Sequence, residues 1–197
     1  MKSFIWQNHP WLLLSLLIII SLFVGEHSLS QLQYQRQAIM DGQVYRLITA
    51  HLVHTNNYHV LLNLTGLIFI GVLAQFQLGQ RDWWLTLLVS ALIVSVGLIL
   101  FNPELQWYRG LSGVLHGVAI VLILKARQLA GFIRAIVLIA LTTKIVLEQL
   151  HIGLWQSEQL IGSTVIVDAH LYGVIGGLVS YMILQLTRSK KMFRKNF

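Results

Sequence analysis

A serine stands between glycines in Arg109-Gly110-Leu111-Ser112-Gly113-Val114-Leu115-His116-Gly117, at the start of an apolar run that continues to Leu124. A hydroxyl in hydrocarbon must find a partner, and alanine would pack as well, so this serine has no plain structural need. Three more polar groups open other apolar runs: His170, and the pair His59 and Asn63, which are four apart and share a helix face. If folding brings an imidazole to Ser112, the two can perform nucleophilic acyl chemistry. The histidine would take the hydroxyl proton and return it to the leaving amine. The tetrahedral oxyanion would need fixed donors, and the Ser112 backbone N–H, the Asn63 amide and the His59 ring can supply them. Asp168 is two residues from His170, hence on a different side of its helix, and it suits the helix amino terminus instead. The expectation is a Ser-His dyad with no third carboxylate to orient the base.

Other ionisable residues have duller readings. His116 follows Ser112 by four and is a rival base on geometry alone. His54 is expected to hold the loop before the His59 helix, and His51 has no assignable job. Lys144 and Glu148 are spaced for an intrahelical pair, with a structural role favoured over a functional one. Eight histidines raise the question of a metal. Their spacing fits no H-E-x-x-H or bundle-carboxylate motif, and His9, His27 and His151 lie at edges, so neither metal nor cofactor is expected.

These side chains must be positioned by membrane helices. With 56% hydrophobic and 11% charged residues and a mean hydropathy of +0.70 over 197 residues, the chain is no ordinary soluble domain, whose charged fraction is about a quarter. The absence of cysteine removes both a disulfide framework and a thiol nucleophile. Six apolar segments are read, about 8–24, 58–76, 83–101, 111–124, 133–150 and 169–186, in one domain spanning 1–197. The first has no A-x-A-like site after it and reads as a retained anchor. A polar connection, Gly25 to Asn57, joins it to the second.

The net charge of +7 reports orientation rather than nucleic acid. With the amino terminus inside, the inner face receives Lys2, Arg81, Lys125, Arg127, Arg134, Arg188, Lys190, Lys191, Arg194 and Lys195, against Arg36, Arg46 and Arg109 outside. Both termini are therefore expected to be cytoplasmic. Trp11, Trp83 and Trp84 would sit at the inner interface, Trp107 and Trp155 at the outer one. Segments two, four and six then begin in the outer leaflet, which brings His59, Asn63, Ser112 and His170 to one depth. Gly113 with Gly117, and Gly173 with Gly177, form small-xxx-small faces that let segments four and six approach. The fourth segment is only about 20 Å long against a hydrocarbon core of about 30 Å, which would admit water to Ser112.

Taken together, these residues resemble the rhomboid intramembrane serine proteases. Gly110-Leu111-Ser112-Gly113 is similar to the GxSG of their fourth helix, and Ala169-His170-Leu171-Tyr172-Gly173 with Gly177 to the AHxxGxxxG of their sixth. His54, His59 and Asn63 match the polar residues of their second, and Tyr45-Arg46 resembles a Trp-Arg pair before it. The resemblance implies a six-helix, all-α bundle and a Ser112–His170 serine endopeptidase that cuts transmembrane segments near the outer leaflet. His116 departs from the wider family, which has an aromatic residue there against the catalytic histidine. In GLSGVLHG and in shortness the chain resembles the rhombosortase subgroup. That implies a bacterial inner membrane, a site facing the periplasm, and exported substrates with a carboxy-terminal Gly-Gly-containing hydrophobic tail. The alternatives are a catalytically silent relative that binds transmembrane helices, and a transporter or proton relay, for which no broken-helix pair in two related halves is present.

Overall fold

The computed structural model describes residues 10–153 and 155–193. Lys2, His9, Arg194, Lys195 and the start of the first apolar segment lie outside the described residues, as do the side chains of Trp155, Lys190 and Lys191. The chain begins with α1 (Pro10–Ser21), α2 (Glu26–Leu32), β1 (Tyr34–Gln35), α3 (Arg36–Met40), α4 (Arg46–Thr49) and a 3-10 turn over Ala50–Leu52. It continues through α5 (Asn57–Ala74), α6 (Gln80–Phe101), β2 (Trp107–Tyr108), α7 (Ser112–Lys125), α8 (Gly131–Gln149), α9 (Trp155–Ile161) and α10 (Val167–Phe193).

Six of these helices fall on the six expected segments, and among the described residues three are long and apolar enough to cross a bilayer by length and composition: Asn57–Ala74, Gln80–Phe101 and Val167–Arg188. The helices α1 and α7 are apolar but short, with 12 and 14 residues, and α8 carries Arg134, Lys144 and Glu148. The result is a multi-pass membrane protein. Its outer surface is studded with exposed Leu, Ile, Val and Phe side chains far beyond what water tolerates.

Lipid tails are as apolar as leucine, so helix association here rests on close packing. The helix α10 lies against α7 and α6, its most extensive partners. A Cβ on Gly113 would come within 2.6 Å of the Ala169 carbonyl oxygen, one on Gly117 within 2.7 Å of the Gly173 carbonyl, and one on Gly173 would land on the Gly113 carbonyl. The two backbones thus touch along the expected glycine faces. Trp83 is 2% exposed and belongs to the same core cluster as Leu78 and Leu87. At the far end of the bundle Lys125 Nζ and Arg188 Nη2 converge on Asp82, at 2.6 and 3.0 Å.

The long connection is held by arginines. The buried Arg46 guanidinium donates to the carbonyls of Ser30 and Gln33 and to Gln43 Oε1, each at 2.8 Å. Arg36 donates to the Ile99 carbonyl at 2.9 Å, satisfying the open carboxyl end of α6. Arg109 is paired with Glu26, whose carboxyl it holds below the usual range, and donates to Gln33 Oε1 at 2.8 Å. Pairing of β1 with β2 (Tyr34 opposite Tyr108, Gln35 opposite Trp107) then pins the segment that leads into Ser112.

Candidate active site

Each polar residue singled out by spacing sits at the amino end of its helix because something there holds it. The side chain of Asn56 caps α5, accepting from the His59 N–H at 2.9 Å, and donates in turn to the carbonyls of Leu160 and Ile161 at 3.0 and 2.8 Å. Asp168, in the first turn of α10, accepts from Asn102 Nδ2 at 2.5 Å, and Asn102 Oδ1 accepts from the Tyr172 hydroxyl at 2.9 Å. That lock fixes the rotation of α10 and leaves Asp168 pointing away from His170. Ser112 is the first residue of α7, so its N–H has no acceptor within the helix.

The helices bring Ser112 and His170 together, with Oγ 2.8 Å from Nε2. His59, Asn63, Ser112, His116 and His170 line one cavity of about 680 Å³, which Thr55 and Val165 also bound. A smaller apolar cleft of about 260 Å³ runs from Asn63, Ser112 and His116 between Leu62, Gly66, Ile70, Leu115, Ala119 and Leu141. Thr55 N–H donates to His59 Nδ1 at 3.4 Å. A neutral His59 therefore carries its proton on Nε2. That edge of the ring lies over Gly110, where φ is +129° and a Cβ would stand 2.9 Å from it, so Gly110 is required twice over. Asn63 Nδ2 spends one N–H on the His59 carbonyl at 3.0 Å and retains the other.

His116 does not reach the Ser112 hydroxyl. Its ring stacks on His170 with centroids 4.3 Å apart, and its Nδ1 contacts the Ser112 carbonyl at 2.7 Å. His54 is buried edge-on to His59, centroids 4.9 Å apart. His51, left without a job by its sequence context, contacts the Gly110 carbonyl at 3.2 Å and, across its ring, Ala91 O and Ser95 Oγ at 3.1 Å. The Tyr108 hydroxyl donates to the same Gly110 carbonyl at 2.8 Å. Together they set the peptide before the serine.

One expectation is corrected by the geometry. A carboxylate does stand behind the histidine: Glu148 Oε2 is 2.9 Å from His170 Nδ1, while Oε1 takes Lys144 Nζ at 2.5 Å. The intrahelical pair forms as its spacing implies, but a carboxylate has two oxygens, and the second crosses to α10. His116, Glu148 and His170 also offer three ligand atoms within 4.8 Å of one another. The Lys144 ammonium, 2.9 Å from His116 Nε2 and 2.5 Å from Glu148, already supplies a cation between two of them.

The Rhomboid domain matches residues 41–186, about three-quarters of the chain and every residue of this cavity. The chain belongs to the rhomboid family. A relative from Bacillus subtilis (strain 168), named "Putative rhomboid protease YdcA", is 27% identical over 151 residues, covering 75% of this chain and 71% of its own. As a rhomboid family protein the chain combines membrane helices with a serine and a histidine in hydrogen-bond contact at the head of two facing helices.

Proposed function

We propose that this rhomboid is an intramembrane serine endopeptidase in a bacterial inner membrane. Its six apolar helices would serve as six spans, with both termini cytoplasmic and the cavity open to the periplasmic side. The observation that carries the reading is the 2.8 Å contact of Ser112 Oγ with His170 Nε2 inside a cavity shared with two potential oxyanion donors. Ser112 Oγ would attack the scissile carbonyl as its proton passes to His170 Nε2. The oxyanion would be received by the Ser112 N–H, the free Asn63 N–H and His59 Nε2–H. His170 would return the proton to the amine as the C–N bond breaks, and water activated by the same ring would then hydrolyse the ester.

Asn63→Ala removes one donor to developing charge, so kcat is expected to fall by about 10²-fold with KM little changed. Normal turnover with weaker binding would move Asn63 to the substrate groove.

The substrates we propose are membrane-anchored exported proteins whose carboxy-terminal hydrophobic tail starts with Gly-Gly. A bond within an intact helix is hydrogen-bonded and shielded, and each glycine costs a helix about 1 kcal/mol relative to alanine, so such a tail unwinds readily at its outer end. Protein in liposomes should be labelled by a fluorophosphonate at Ser112, with Ser112→Ala blank, and should cut a Gly-Gly tail much faster than its Leu-Leu counterpart. Absence of labelling would favour a silent helix-binding rhomboid. Equal rates for the two tails would remove the rhombosortase assignment.

A further inference from the structure

We infer that Glu148 is a positioning residue for His170, held in place by Lys144 and His116, so that the proposed nucleophile is both the start and the end of a closed circuit of hydrogen bonds. The inference rests on the serine endopeptidase reading. The circuit runs from Ser112 Oγ to His170 Nε2 (2.8 Å), from His170 Nδ1 to Glu148 Oε2 (2.9 Å), from Glu148 Oε1 to Lys144 Nζ (2.5 Å), from Lys144 Nζ to His116 Nε2 (2.9 Å), and from His116 Nδ1 back to the Ser112 carbonyl (2.7 Å).

The donor and acceptor types leave one assignment for neutral rings. A carbonyl only accepts, so His116 Nδ1 carries a hydrogen and its Nε2 is bare. An ammonium only donates, so Lys144 fills that lone pair and one oxygen of Glu148. The ionised carboxylate accepts again from His170 Nδ1–H, which leaves His170 Nε2 as the acceptor for the Ser112 hydroxyl. Every link is satisfied with one proton each, and Glu148 and Lys144 cancel in charge.

Two features argue against a merely intrahelical pair. Lysine precedes glutamate by four, the less favourable order along a helix. Moreover, Ile145 and Glu148 are the two buried residues of α8, so the helix turns a carboxylate toward the bundle where an apolar side chain would cost less. That carboxylate gains its return when His170 takes the serine proton: the imidazolium then lies against a fixed negative charge.

The test uses the full chain in liposomes with a Gly-Gly-tailed substrate. Glu148→Gln keeps the size but removes the charge and permits the wrong tautomer, so kcat should fall by about 10²- to 10⁴-fold, with KM within about twofold. Glu148→Asp should recover part of the loss, and labelling of Ser112 by the fluorophosphonate should slow in parallel. Nitrogen-15 NMR of the unsubstituted protein supplies a readout that needs no variant to fold: the neutral His170 ring should carry its proton on Nδ1. Unchanged kcat in Glu148→Gln beside an inactive Ser112→Ala would overturn the inference and spare the protease reading, as would a neutral His170 ring whose proton sits on Nε2. An active Ser112→Ala would sink that reading itself.

Discussion

Ser112→Ala and His170→Ala are each expected to reduce cleavage in liposomes to background, a fall of about 10⁶-fold if the two act as one unit. Both variants should remain folded, because the helices that carry them are held by glycine contacts and by the Asn102–Asp168 lock. Removal of His116 should leave measurable turnover. Its ring nitrogens face Lys144 and the Ser112 carbonyl, so it is not placed to take the serine proton. The comparison is made by substrate cleavage and by thermal unfolding of each purified variant. Retained activity in His170→Ala with loss in His116→Ala would reassign the base.

The second large effect is expected where the two helices touch. Gly173→Ala puts a methyl group onto the Gly113 carbonyl, which is backbone and cannot swing aside. The helices must separate, and a displacement of about 1 Å at reacting atoms can cost about 10²-fold in rate. We expect at least that loss, together with a lowered Tm, because close approach is what associates helices in lipid. Gly131→Ala is the control: a Cβ there meets nothing within 4 Å and alanine suits a helix better than glycine, so the rate should be unchanged and Tm should not fall. Equal behaviour of the two variants would show that the α7–α10 contact is looser than its geometry indicates.

Much of the site was legible in the sequence, since polar residues are rare in apolar runs and each one asks for a reason. Ser112, His170, His59 and Asn63 stood out on that ground, and the glycine spacing told which helices could meet. The contact of Glu148 with His170 was not legible for a physical reason. Spacing along one helix names the neighbours on that helix, here Lys144, whereas the rotation of α8 that turns one oxygen toward α10 is decided by packing. His51 is left without a role by the sequence for a similar reason, since its partners Gly110 and Ala91 are 59 and 40 residues away. Hydropathy also starts α10 at Ala169, while the helix begins at Val167, because a polar first turn locked to Asn102 carries no apolar signal.

Ser112 borders both a larger cavity that carries the ionisable side chains His59, Lys144, Glu148 and His170 and a smaller apolar cleft. On the proteolytic reading, hydrolysis needs two reactants of opposite character, a greasy peptide and water, and this arrangement gives each its own door. A tail sliding in from the lipid through the cleft between Leu62 and Leu141 need not expel the solvent that must later cleave the acyl-serine. On the same reading, small electrophiles dissolved in water would reach the serine through the larger cavity without crossing hydrocarbon. Traffic of the two kinds meets at a single oxygen.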